Sequence, residues 1–328
     1  MMLVFRWSFM IVYLLIVLVI GYFGSKKVKT SVDFHVAGRN LGMLPAVALF
    51  VGAFLSAGSM VGFVGYAYSK GFVFYLMYPL GLLSGCIFLQ FIVPYFKERN
   101  WMTLPHFFGD RYNDKNTRAY FGFAASLVLF VFLIMQVVGA GAVVSSFLQI
   151  PKLWATALVG LVFVAYTVAG GLYAVAWTNV AQCAVLFSGL IFSLIIALQR
   201  AGGYNGVLAK LAAEAPKMLT INHGGDVAWA FLFGVAISTF CGISSTSYYI
   251  KMMFSVKNDR IAKRFIWIGI GILAVTYVCI GTLGFSIKAL MPGIQSSDSV
   301  LPTFANSLPG ALGALILVAL ASAIMSTT

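Results

Sequence analysis

Val51-Gly52-Ala53-Phe54-Leu55-Ser56-Ala57-Gly58-Ser59-Met60-Val61-Gly62 lies in the middle of an apolar run covering residues 44–68. Three glycines and two serines fill a depth at which the preceding run, residues 8–24, carries mostly Leu, Ile and Val. Small residues there have two readings: they let helices pack closely, or they mark a helix that unwinds. Unwound peptide is tolerated in a bilayer only where protein buries it or where it lines a polar cavity. The second reading therefore makes this segment a candidate site.

The membrane setting follows from composition. The 328 residues are 61% hydrophobic and 9% charged, with 33 Gly and a mean hydropathy of +0.99. A soluble domain averages about 45–50% apolar and about 25% charged, so a water-soluble fold is excluded. Apolar runs between charged or Pro/Gly punctuation predict nine spans near 8–24, 44–68, 72–96, 119–148, 153–170, 180–199, 227–250, 263–288 and 310–328. The first runs straight into Lys26-Lys27-Val28-Lys29 without a small-residue cleavage site, and reads as a span rather than a signal peptide.

Charge gives the orientation. Of 21 Lys and Arg, fourteen fall in the loops after spans one, three and seven and seven on the other side. The fourteen-residue side is the cytoplasm by the positive-inside rule, which puts the N-terminus outside. The net charge of +13 is thus an orientation code and not a nucleic-acid surface. All eight carboxylates, and His35, His106 and His223, fall in loops, which argues against a proton relay through the spans. Cys86, Cys183, Cys241 and Cys279 lie in apolar runs without a CxxC, so neither a disulfide framework nor a zinc site is supported. No acid–base pair, activated nucleophile, phosphate loop or metal cluster sits in a span, which argues against an enzyme. The polar positions cluster at one depth and do not form a continuous pore lining, which argues against a channel.

Span seven repeats the anomaly of span two. Ile237-Ser238-Thr239-Phe240-Cys241-Gly242-Ile243-Ser244-Ser245-Thr246-Ser247 has six hydroxyl residues and a glycine at membrane depth. It lies five spans later, and because five is odd it crosses in the opposite direction. Interrupted segments at matching positions of an inverted repeat point to the midplane site of a secondary transporter. Ala321-Ser322-Ala323-Ile324-Met325-Ser326-Thr327-Thr328 adds hydroxyls from a third span, although alone these read as helix packing or back-bonding to the preceding turn. Residues 200–226 form the longest outer loop, with a short surface helix expected from Tyr204 to Glu214. The basic inner loop 97–118 is explained by topology.

These residues carry a resemblance. Asp33-Phe34-His35-Val36-Ala37-Gly38-Arg39, Ser56-Ala57-Gly58-Ser59-Met60-Val61-Gly62, Tyr166-Thr167-Val168-Ala169-Gly170-Gly171-Leu172-Tyr173-Ala174-Val175 with Trp177-Thr178-Asn179, Asp298-Ser299-Val300-Leu301-Pro302 and Ala323-Ile324-Met325-Ser326-Thr327 occur in the order and on the sides seen in the sodium:solute symporter family, which the chain resembles. The resemblance implies an all-α integral membrane protein with a leucine-transporter-like inverted repeat. An extra N-terminal helix at 8–24 would precede a first five-helix repeat at 44–199 and the first three helices of a second repeat at 227–328. That second repeat is incomplete, so the chain, ending at Thr328 inside its ninth span, is expected to be the N-terminal portion of a longer protein and unable to transport alone.

The resemblance also implies a sodium site made of the carbonyls of Gly52, Leu55 and Ala323 and the hydroxyls of Ser326 and Thr327. Five neutral oxygens suit a monovalent cation in a span without carboxylates. Asn179 occupies a position where the family often carries an aspartate associated with sodium exit. Thr246-Ser247 and Lys251-Met252 stand where sugar-type members have Asp-Gln and Gln-Arg, and Phe54 where proline-type members have Asp, so neither substrate is expected. The Ser56–Ser59 stretch looks closer to pantothenate-type and other organic-acid members.

A solute cavity is expected from Ser56, Ser59, Gln136, Ser245, Thr246, Ser247 and Tyr248, suited to a small uncharged, zwitterionic or carboxylate solute. Gln136 reads equally as interhelical glue, and Tyr248 and Tyr249 as interfacial belt residues. The expected function is sodium-coupled import of a small organic solute by alternating access across the plasma membrane. The alternative is a transporter-like sensor module whose signalling part lies outside this chain.

Overall fold

A computed structural model describes residues 2–56, 58–101, 103–244 and 247–326. Among them the regular structure is helical, apart from one isolated bridge between Leu41 and Val256. Five helical stretches are long and apolar enough to cross a bilayer: Trp7–Ser25 within α1 (Met2–Ser25), α5 (Val73–Glu98), most of α7 (Lys115–Leu148), Gly170–Ala201 within α8 (Lys152–Ala201), and α12 (Asp259–Leu290). Two further spans are broken. In the first, α3 (Met43–Phe54) meets Ser59–Lys70, which contains α4 (Phe63–Lys70), at 61°; in the second, α10 (Trp229–Ser244) meets α11 (Ser247–Ser255) at 43°. Lys152–Val162 and α14 (Gly310–Ser326) supply shorter apolar helices, so every expected span carries helix.

The outward faces are apolar. Phe123, Leu127, Phe130, Val131 and Ile134 line α7 with more than two-fifths of each side chain exposed, a stripe that belongs in lipid. The chain is a multi-pass membrane protein. Lipid tails are as apolar as leucine, so burial between helices gains little and close packing of small residues does more.

Spans five and six are not separated by a loop over 171–179. Instead α8 is helical on both sides of one residue, Gly171, whose φ of 51° and ψ of −156° break the helix. A Cβ there would also stand 2.7 Å from the Phe34 carbonyl oxygen, so both the turn and the close approach require glycine. Phe34 lies on α2 (Ser31–Val36), a short helix in the loop after α1. Thr30 caps it by accepting from the Asp33 N–H at 3.1 Å, and Asp33 accepts in return from the Thr30 and Lys29 N–H groups at 2.9 and 3.1 Å. These bonds, the Thr30 hydroxyl first, hold the Asp33 carboxyl below the ordinary carboxylate range.

Other loops also carry helix. α6 (Leu104–Tyr112), capped by Thr103, lies in the basic loop 97–118; α9 (Gly203–Glu214) matches the expected surface helix and buries Val207 and Leu211; α13 (Val300–Asn306) precedes α14. Leu41 donates to the Ser255 carbonyl and accepts from the Lys257 N–H, both at 3.0 Å, tying the approach to α3 to the end of α11. Lys97 at the end of α5 donates to Asp259 at the start of α12.

Candidate functional site

The first break is built from local hydroxyl chemistry. Leu55 leaves helical geometry at φ −98° and ψ 81°, its N–H still bonded to the Gly52 and Val51 carbonyls. Ser56 then starts the second half: its Oγ accepts from the Ser59 N–H at 3.4 Å and its carbonyl accepts from the Met60 N–H at 3.0 Å, an N-cap pattern. Ser59 Oγ donates back to the Ser56 carbonyl at 2.9 Å. The restart, Gly58–Gly62, is a π-helical turn, a form that recurs at functional sites.

The end of α14 closes on this break. Ser326 Oγ stands 3.2 Å from the Gly52 carbonyl oxygen, 3.2 Å from that of Leu55 and 2.8 Å from that of Ala323. A hydroxyl has one proton; it cannot donate to three carbonyls at once. Oxygens that share a hard cation at about 2.3–2.6 Å, set at right angles, stand about 3.3–3.7 Å from one another. The two 3.2 Å separations lie just under that spacing, and the 2.8 Å one is an ordinary hydrogen bond to the preceding turn; the three carbonyls and the hydroxyl are buried neutral oxygens of the kind that coordinates such a cation. Gly52, Leu55, Ala323 and Ser326, expected together, are brought together here; Thr327 lies outside the described residues.

Asn179 of α8 packs on the same glycine. A Cβ on Gly52 would lie 2.9 Å from Asn179 Nδ2 and 3.4 Å from Ser326 Cβ. The Asn179 side chain is buried, and neither Oδ1 nor Nδ2 has a hydrogen-bond partner among the described residues. One turn before Ser326, Ser322 Oγ donates to the Gln182 carbonyl at 2.9 Å, so α14 is fastened to α3 and to α8 together.

The expected solute residues divide. Ser56 and Ser59 line the first break, with their hydroxyls already engaged in it. Gln136 is buried in α7, and no described hydrogen bond links it to Ser59 or Tyr248. Ser245 and Thr246 lie outside the described residues, and nothing is described of the Ser247 side chain. Tyr248 lines a separate cavity of about 200 Å³ with Phe34, His35, Thr167, Lys251 and Met252.

Two aromatic residues link the breaks. The ring of Phe54, where α3 ends, stacks on that of Tyr249 of α11 at 4.6 Å and 5°. Tyr249 is therefore an interior contact rather than a belt residue. Glycine and serine patterns do not reveal this pair; only the placement of an aromatic beside each break hints at it.

Residues 34–328 match the sodium:solute symporter family. The uncharacterized symporter YwcA of Bacillus subtilis (strain 168) is 25% identical over 317 residues, which cover 95% of this chain and 62% of that protein. The chain thus spans about three-fifths of the length of this curated relative. Among solved structures, the fold is similar to that of a Na+-coupled sialic acid symporter in a substrate-bound outward-open state. The TM-score is 0.85 at 19% identity, covering 98% of this chain and 70% of that one.

Proposed function

Because the chain belongs to the sodium:solute symporter family, we propose that it forms the ion-binding part of a sodium-coupled symporter that carries a small organic solute by alternating access. The observation that carries this reading is the convergence of the Ser326 hydroxyl on the carbonyls of Gly52, Leu55 and Ala323. These four oxygens, with the Thr327 hydroxyl, hold the sodium ion as cargo, and Asn179, in the half of α8 that follows the Gly171 break, lies on its exit route. The solute sits beside the break, against Ser56 and Ser59 and the Ser245-Thr246-Ser247 segment, with Gln136 and Tyr248 contributing further polar groups. Residues 44–199 form the first repeat and 227–328 the opening of the second, inverted against it.

The membrane is the plasma membrane, with the N-terminus outside. Coupling is then thermodynamic. One sodium ion moving down about 100 mV releases roughly 2.3 kcal/mol, enough for about a fiftyfold solute gradient before any sodium gradient is counted.

Counterflow of labelled organic acids, amino acids and vitamins into proteoliposomes holding the full-length protein, with and without sodium, tests this. Sodium-dependent accumulation of one solute class is expected; flux indifferent to sodium, or none for any solute, would overturn it.

A further inference from the structure

The cavity that takes Tyr248 lies at the basic-loop side, between α2, the Gly171 turn of α8, and α11. Its walls are of two kinds. Phe34 and Met252 are apolar, while Lys251 brings an ammonium group, His35 an imidazole and Tyr248 a phenol. Thr167 also lines it, and its buried Oγ1 has no hydrogen-bond partner among the described residues. Among the described residues, none that lines it is acidic. The nearest carboxylate in sequence, Asp33, is occupied by the cap of α2.

From this we infer a second solute site, for a small monocarboxylate with a short hydrocarbon tail, held on the cytoplasmic side before release. The carboxylate pairs with Lys251 and accepts from Thr167, an orphaned hydroxyl that supplies a donor without giving up another bond. The tail lies against Phe34 and Met252. A volume of about 200 Å³ falls below the roughly 300–1,000 Å³ of pockets for drug-sized ligands, which sets the size class. The assignment rests on the transport reading above and deepens it by naming the solute class.

The test uses the full-length protein in phosphatidylcholine vesicles, with Cys241→Ser and Cys279→Ser, and a reporter thiol introduced by Leu172→Cys on the cavity wall, which leaves Lys251 and Thr167 in place. Cys86 and Cys183 are buried. The rate of N-ethylmaleimide labelling is measured with propionate or its neutral isostere propionamide. Near saturation, propionate is expected to slow labelling about threefold or more and propionamide not at all. Lys251→Gln removes the contrast and Lys251→Arg keeps it. Equal slowing by both probes, no slowing, or a contrast that survives Lys251→Gln would overturn the site. Should Lys251→Gln label unlike its parent without any probe, the contrast in the parent protein decides.

Phosphatidylglycerol slowing the reaction by itself would assign the cavity to a lipid headgroup and overturn the solute reading. Sodium-dependent counterflow is followed in the same vesicle preparation, with Leu172 intact. Counterflow without protection overturns this site alone, while protection without counterflow overturns the transport reading and leaves the anion site standing.

Discussion

The two broken spans have similar compositions and opposite surroundings. Ten of the twelve residues of α3 are buried, whereas α10 buries only Leu232 and Ala236 of its sixteen. Phe231, Phe233 and Ile237 of α10 are each more than half exposed. The hydroxyls differ accordingly. On α10, Thr239 and Ser244 bond back to the Val235 and Phe240 carbonyls of their own helix, so each hydroxyl is satisfied within its own helix. At the first break the hydroxyl comes from another helix, Ser326 of α14. Hydroxyls at both breaks bond locally, as Ser59 does to the Ser56 carbonyl; among the described residues the first break differs in taking a further hydroxyl from a distant helix.

The same substitution at both breaks gives the largest contrast. Gly52→Ala places a methyl against Asn179 and Ser326, and overpacking of this kind costs about 1–3 kcal/mol. Half-saturating sodium in counterflow should rise about tenfold or more. Gly242→Ala meets nothing within 4 Å and should stay within about 0.5 kcal/mol. Equal effects at the two glycines would erase the distinction drawn between the breaks.

Next comes the hydroxyl itself. Ser326→Ala should raise the sodium requirement about tenfold, the equivalent of about 1.4 kcal/mol, while Ser244→Ala leaves it unchanged. An unaltered sodium dependence in Ser326→Ala would remove the ion assignment.

A smaller effect is expected where the breaks meet. A double-mutant cycle on Phe54 and Tyr249, read by thermal unfolding in detergent, should return a coupling of about 0.5–1.5 kcal/mol, as for other aromatic pairs. Zero coupling would make the two breaks independent.

The smallest effect concerns the support of the second break. α10 packs against α5, and Lys97 of α5 pairs with Asp259 of α12. The Lys97 ammonium holds the Asp259 carboxyl below its ordinary range. A carboxylate lowered in the folded state stabilises above its unfolded pKa of about 3.9 and loses that contribution as pH falls through the lowered value. The difference in unfolding midpoint between Asp259→Asn and the parent should therefore be present at neutral pH and vanish under acid conditions. A difference that persists in acid would mean that Asp259 acts through something other than its charge.

Much of this was legible in sequence, for physical reasons that also mark the limit. Apolar runs are a one-dimensional signal, and all nine carry helix. The helices α2, α6 and α13 were passed over because short capped segments such as Thr30 to Val36 have no apolar periodicity long enough to register. Gly170-Gly171 was visible as a motif. Nothing in Leu172 to Asn179 separates a loop from a helix that resumes at once, since those residues suit either. Gly52, Leu55, Ala323 and Ser326 were grouped through the family resemblance and not by spacing; no local pattern joins residues 274 positions apart. Tyr248 was placed with Ser59 because both lie near a break, but a 43° bend turns α11 toward α2 and the Gly171 turn.

The bridge at Leu41 has a mechanical meaning. Two main-chain bonds yoke the peptide leading into α3 to the peptide leaving α11, which ties these ends of the two broken spans directly to each other. Spin labels at Asn40 and Lys257 would keep their separation through any motion of the helices around them. Because the yoke is made of backbone, a proline or a deletion would cut it.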